Sequence, residues 1–149
     1  MNDLPVAVEV VRPGYYPELP SPATPSSAGL DLRACVEQET LLWPNEAKRV
    51  PAGIKIAIPP GYALFALPRS GLGSRGLVLG NLVGLIDSDF RGEIEISLWN
   101  RGETVHKITP GMLVCQAVVL PVMRVVWQPV DKLDDTERGE GGFGHTGEL

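Results

Sequence analysis

The chain has 149 residues, 13 basic and 18 acidic, with a formal net charge of −5 at pH 7, 44% hydrophobic and 21% charged residues. That length suits one domain able to bury a core without disulfide or metal staples, and that composition excludes disorder along the whole chain. The acidic balance argues against nonspecific nucleic-acid or anionic-membrane partners, which call for a basic surface.

Taken in chain order, the apolar segments are short and read as strands: "VAVEVV", "LDLRACV", "KRVPAGIKIAI", "YALFAL", "EIEISLW", "VHKI" and "MLVCQAVVLPVMRVVW". Each is bounded by Pro, Gly or Asn. With 14 prolines and 17 glycines scattered throughout, almost no window keeps helical spacing beyond two turns. In "EIEISLW", Ile94, Ile96 and Leu98 alternate with Glu93, Glu95 and Ser97, the period of a strand with one buried face. The expected fold is all-β, a sandwich, jelly roll or barrel. Arg12 to Gly29, "RPGYYPELPSPATPSSAG", reads as an extended loop. Cys35 and Cys115 lie far apart in apolar surroundings and read as buried free thiols rather than zinc ligands. No signal peptide precedes "MNDLPVAVEVV", and no apolar run reaches the ~18 residues of a membrane span, so the expected location is cytoplasmic.

Five segments combine glycine with polar residues at the ends of apolar strands. In "SAGLDLRA", Asp31 is either a surface carboxylate or an oxygen ligand for Mg²⁺. In "PRSGLGSRG", Arg69 has the planar fork for phosphate, and Ser70 and the backbone at Gly71 add donors; the same segment also reads as a solvated turn. In "GNLVGLIDSDFRGEIEISLWN", the Asn81 amide can read a nucleobase edge, Asp87 stands where a general base would, and Phe90 offers a flat apolar face. A hairpin turn with an anchoring phenylalanine is the plainer alternative. In "GMLVCQAVV", Gln116 sits between Cys115 and Ala117, where a buried amide must find a partner. The last segment, "RGEGGFGHTG", is either a loose tail or a lid in which Arg138 meets phosphate and Phe143 stacks on a flat ring.

Together and in this order, "AGLDLRA", "PRSGLG", "GLIDSDFRGEI", "GMLVCQAVV" and "RGEGGFGHTG" resemble the five motifs of the trimeric dUTP diphosphatases, the dUTPase family. The resemblance runs from Ser27 to Gly147. It implies a jelly-roll homotrimer with active sites at subunit interfaces, hydrolysing dUTP to dUMP and pyrophosphate with Mg²⁺, limiting uracil in DNA and supplying dUMP for dTMP synthesis. By the same resemblance, residues 1–136 form the β-rich domain and 137–149 a flexible lid arm over another subunit's site. Asp87 orients the attacking water, and Gln116 touches that water or a phosphate. Arg69, Ser70 and Gly71 hold phosphates, and Asp31 binds the metal through water. The hairpin from Asn81 through Gly84 to Leu85 reads uracil, and Phe90 packs beneath deoxyribose. In the arm, Arg138 pairs with the γ-phosphate, Phe143 stacks on uracil, and Gly144, His145 and Thr146 complete the closure. Two departures stand out: Phe90 replaces the tyrosine of many members, and His145 replaces a frequent serine. Deamination of dCTP, the reaction of a related group, needs an acid–base residue beside cytosine C4, and the hairpin offers none.

Overall fold

The computed structural model describes residues 3–143; Gly144, His145 and Thr146 lie outside them. Eleven strands form four antiparallel sheets, so the fold is predominantly β as the sequence predicts. The largest has the order β2 (Leu30–Arg33), β11 (Leu113–Pro121), β6 (Tyr62–Pro68), β8 (Gly84–Ile86). A second joins β4 (Ala47–Pro51), β9 (Glu95–Asn100) and β7 (Leu77–Leu79), and two pairs complete the set: β1 (Ala7–Val10) with β5 (Ile54–Ala57), and β3 (Thr40–Leu42) with β10 (His106–Ile108). The sole α-helix among the described residues is the single turn α1 (Ser70–Gly73).

The alternation read in "EIEISLW" is what the core uses: Ile94, Ile96 and Leu98 are buried at 2%, 3% and 1% exposure, against Leu32, Leu42, Leu77 and Val114. Removing one such side chain, as in Leu98→Ala, costs about 2–5 kcal/mol through lost transfer energy and the cavity left behind. Asn100 is the one fully buried polar side chain described, and its amide donates to the carbonyls of Leu42 and Thr104 while Oδ1 accepts from Gly102 N–H. Cys35 and Cys115 are buried free thiols, as expected, and burial pushes them up to about 11 and about 12.

Two strand expectations are corrected. The run "KRVPAGIKIAI" is two strands, because the chain turns a corner at Ala52–Gly53. Gly53 takes φ +73°, and a Cβ there would lie 2.6 Å from Cys35 Sγ, so the corner requires glycine. The run through Trp127 stops pairing at Pro121, opposite Tyr62, because β6 begins there and offers no further partner. Beyond it, Met123, Val126 and Trp127 are 93%, 77% and 86% exposed. The Arg12–Gly29 segment is a loop that opens with a 3-10 turn at Pro13–Tyr15 and bridges to Leu30 through Pro22; it is pinned by Tyr16, whose buried hydroxyl donates to Ala52 O at 2.6 Å.

Candidate active site

At the end of β6 the backbone stays extended through Arg69 and then turns into α1, whose Leu72 is buried and anchors the turn. Hydrogen bonding begins with Leu72 and Gly73 N–H to Arg69 O, so the first amides, those of Ser70 and Gly71, have no acceptor within the turn, and both residues are exposed. Arg69 reaches across β11: Nε donates to Asp31 Oδ1 at 3.0 Å and Nη1 to Leu113 O at 3.2 Å. Asp31, Arg69, Ser70, Gly71 and Gln116 therefore line one cleft of about 360 Å³, with Arg75 as a further cation. Gln116 corrects the expectation of a buried amide. It is exposed on the cleft side of β11 while Cys115 and Ala117 face the core. A Cβ on Gly29 would sit 2.7 Å from Gln116 Cγ, so glycine there makes room for the amide to lie across β2.

The second cleft, about 340 Å³, lies at the turn between β7 and β8; β7 pairs with β9 and β8 with β6, so the expected hairpin is a turn that joins two sheets. Leu82 at φ +60° makes the tight reversal, and a Cβ on Gly84 would stand 3.1 Å from Ala66 Cβ and 3.3 Å from the Asn81 amide nitrogen, so glycine there leaves room for the amide. Asn81, Leu85, Asp87 and Phe90 all line this cleft. Asp87 opens a turn closed by Phe90 N–H to Asp87 O, and Arg91 Nη1 donates to the carbonyls of Ser88 and Phe90 at 2.7 and 2.8 Å. Gly92 leaves space for the Phe90 ring, which would otherwise stand 2.6 Å from a Cβ. Arg49, Glu93, Glu95 and Ser97 complete the wall. The sequence reading missed them and Arg75. The outward alternation of Glu93, Glu95 and Ser97 was the one available signal, and it reads equally as a solvated face.

The residues singled out from sequence thus fall into two groups: Asp31 on β2, Gln116 on β11 and Arg69, Ser70 and Gly71 just after β6 form one, and Asn81, Leu85, Asp87 and Phe90, in and around the edge strand β8, form the other. From β2 to β8 is three strand spacings of about 4.8 Å, roughly 14 Å. Along β6, Ile86 pairs with Leu64, five residues before Arg69, or about 16 Å at ~3.3 Å per residue. Arg138 and Phe143 join neither group. Arg138 Nε donates to Gly141 O, and the Phe143 side chain is fully exposed.

An antiparallel β fold thus carries a cation- and amide-lined cleft and a second cleft of amide, aromatic and carboxylate. Comparison with known proteins makes this specific: the match to the dUTPase family spans residues 16–147, and the chain belongs to that family. A deoxyuridine 5'-triphosphate nucleotidohydrolase of Pseudomonas paraeruginosa is 48% identical over 149 residues, covering 99% of each chain. Among solved structures, a mutant dUTPase of Staphylococcus bacteriophage 80alpha with dUpNHpp superposes with a TM-score of 0.85 at 22% identity, covering 96% of this chain and 98% of its own. A mutant dUTPase from phage phi11 of S. aureus, whose structure reveals the coordination of a structural Mg(II) ion, superposes at 0.76 with 19% identity, covering 87% of this chain and 98% of its own.

Proposed function

We propose that the two clefts are halves of one dUTP site assembled between copies of the chain. The reaction is that of a dUTPase, hydrolysis of dUTP to dUMP and pyrophosphate. The observation that carries the intersubunit reading is the separation of the clefts. A water held by Asp87 must attack within about 3–3.5 Å of the α-phosphorus, whereas in the same chain Arg69 lies five residues along β6 from the Leu64–Ile86 pair, or about 16 Å at ~3.3 Å per residue. A closed jelly roll in a homotrimer resolves this by setting the Asp87 cleft of one copy against the Arg69 cleft of the next. The exposed apolar stretch from Met123 to Trp127 supports the same assembly, since a neighbouring copy would cover it.

In this reading the Asn81 amide and the backbone of the turn through Gly84 and Leu85 match the donor and acceptor edge of uracil. The tight turn leaves no room for the methyl of thymine, and cytosine presents the opposite pattern at position four. Phe90 packs beneath deoxyribose and crowds out a 2′-hydroxyl. Asp87 accepts hydrogen bonds from the 3′-hydroxyl and from the attacking water. The water oxygen bonds to the α-phosphorus, its proton passes to the Asp87 carboxylate, and the bond from the α-phosphorus to the bridging oxygen breaks to release pyrophosphate. In the neighbouring cleft Arg69, Ser70 and Gly71 hold phosphate oxygens, and the exposed Gln116 amide donates to phosphate or water.

The donor set in the phosphate cleft suits Mg²⁺. Asp31 offers one carboxylate, of which Oδ1 is taken by Arg69 and Oδ2 is left to the cleft, and no cluster of three acidic, His or Cys side chains occurs among the described residues. That is the pattern of an ion held chiefly by substrate phosphates and water. When bound, Mg²⁺ supplies Lewis-acid neutralisation of the triphosphate, and Asp31 would hold its hydration shell. Residues 137–149 act as a lid arm over a neighbour's site, with Phe143 on uracil, Arg138 on the γ-phosphate and Gly144, His145 and Thr146 closing behind them. The protein works in the cytoplasm, a setting consistent with two free thiols.

The test is pyrophosphate release from dUTP, dTTP, dCTP and UTP, each with Mg²⁺ and with EDTA. Release from dUTP alone, lost in EDTA, is expected. Comparable release from UTP would remove the role given to Phe90, and release from dTTP the role given to the turn.

A further inference from the structure

The nucleoside cleft carries three carboxylates, Asp87, Glu93 and Glu95, on a wall that a polyanionic nucleotide must approach. Two of them are matched. Arg12 grips Glu93 with Nε to Oε1 at 2.7 Å and Nη2 to Oε2 at 3.2 Å, Gly53 N–H adds a third bond, and the Arg12 hydrogen bond holds the Glu93 carboxyl below the usual range. Arg49 Nη1 lies 3.2 Å from Glu95 Oε2. Strand register produces this second pair. Arg49 faces Ser97 and Pro51 faces Glu95, so Arg49 and Glu95 are diagonal neighbours on the outer face of β4 and β9. The Asp87 side chain has neither a cation nor a hydrogen-bond donor among the described residues.

The two pairs do different work. Arg12–Glu93 also ties down the Gly53 corner and so braces the fold. Arg49–Glu95 ties down nothing else, and with side chains 74% and 51% exposed it adds little to stability. What it changes is the field over the cleft, where an unmatched carboxylate would repel a triphosphate. We propose that Arg49 is a positioning residue for nucleotide binding: by pairing with Glu95 it removes a repulsive charge from the cleft wall and leaves Asp87 as the single unmatched carboxylate facing the nucleotide. The inference rests on this cleft being the nucleoside half of the dUTP site.

The test compares the full-length wild type with Arg49→Gln and with the double variant Arg49→Gln, Glu95→Gln. KM and kcat for dUTP, and competitive inhibition by deoxyuridine, dUMP and dUDP, are measured at low and high salt. Arg49→Gln is expected to raise KM about fivefold at low salt, with kcat within about twofold, and to weaken the inhibitors in order of their charge while sparing uncharged deoxyuridine. High salt should narrow the gap, and Glu95→Gln in the same chain should close it. An unchanged KM at low salt would overturn the proposal. So would equal weakening of deoxyuridine, which would mean a distorted pocket, or a double variant as impaired as the single one, which would mean that Arg49 touches phosphate itself. Failure of the wild type to hydrolyse dUTP would instead overturn the functional reading, and calorimetric binding of deoxyuridine and dUMP would still report the charge order.

Discussion

The two clefts of the four-stranded sheet are built on opposite plans. In the first, where β2, β11 and the end of β6 meet, the charged groups are already committed: Arg69 is bonded to Asp31 and to Leu113 O, and the turn that carries Ser70 and Gly71 is anchored by a buried leucine. At the β8 edge the backbone is the ordered part. The turn after Asp87 is closed by Phe90 N–H and by Arg91, yet the exposed Asp87 carboxylate has no partner among the described residues. On the proposed reading, the first cleft receives phosphate, which needs fixed donors, the second keeps a carboxylate available, which a general base requires, and neither completes the chemistry in its own chain.

The largest expected effect falls on the free carboxylate. Asp87→Asn should keep nucleotide binding and lower turnover by at least about a hundredfold, measured by single-turnover pyrophosphate release; near-normal turnover would erase the contrast between the clefts. The separation itself is broken or sharpened by complementation. Asp87→Asn and Arg69→Ala chains, each nearly inactive alone, should recover activity when co-assembled, approaching about a quarter of wild-type sites if one residue comes from each neighbour in a closed ring. No recovery in assemblies shown to be mixed would return both residues to one chain. Truncation after Glu137 should cut kcat/KM by about tenfold or more through loss of the lid while leaving the assembly size by light scattering unchanged. The smallest effect is expected from Gly29→Ala. The new methyl must displace Gln116, whose exposed side chain can move, so activity should fall by a few-fold with the melting temperature nearly unchanged. A large drop in melting temperature would show that the phosphate cleft has no slack.

Much of this was legible in the sequence where the signal is local. Period-two alternation marked β9, glycine and proline marked the turns, and the ordered motifs pointed to the family and to most of the cleft residues. Locality also explains the misses. Gln116 has apolar neighbours in sequence, and only the side of β11 on which it falls leaves it exposed. Arg49 and Glu95 are 46 residues apart, and nothing in either segment announces that β4 and β9 place them diagonally. The apolar run to Trp127 looked like one strand because composition carries no information on where a partner strand begins.

By itself, then, the sequence determined the β character, the family, and which side chains are chemically equipped for a nucleotide, because each depends on residue type and short spacing. Tertiary structure alone decided that those side chains divide between two clefts, which carboxylates are matched by arginine and which is left free. Strand order and register set distances between residues far apart in the chain, and electrostatic and hydrogen-bonding partners follow distance in space.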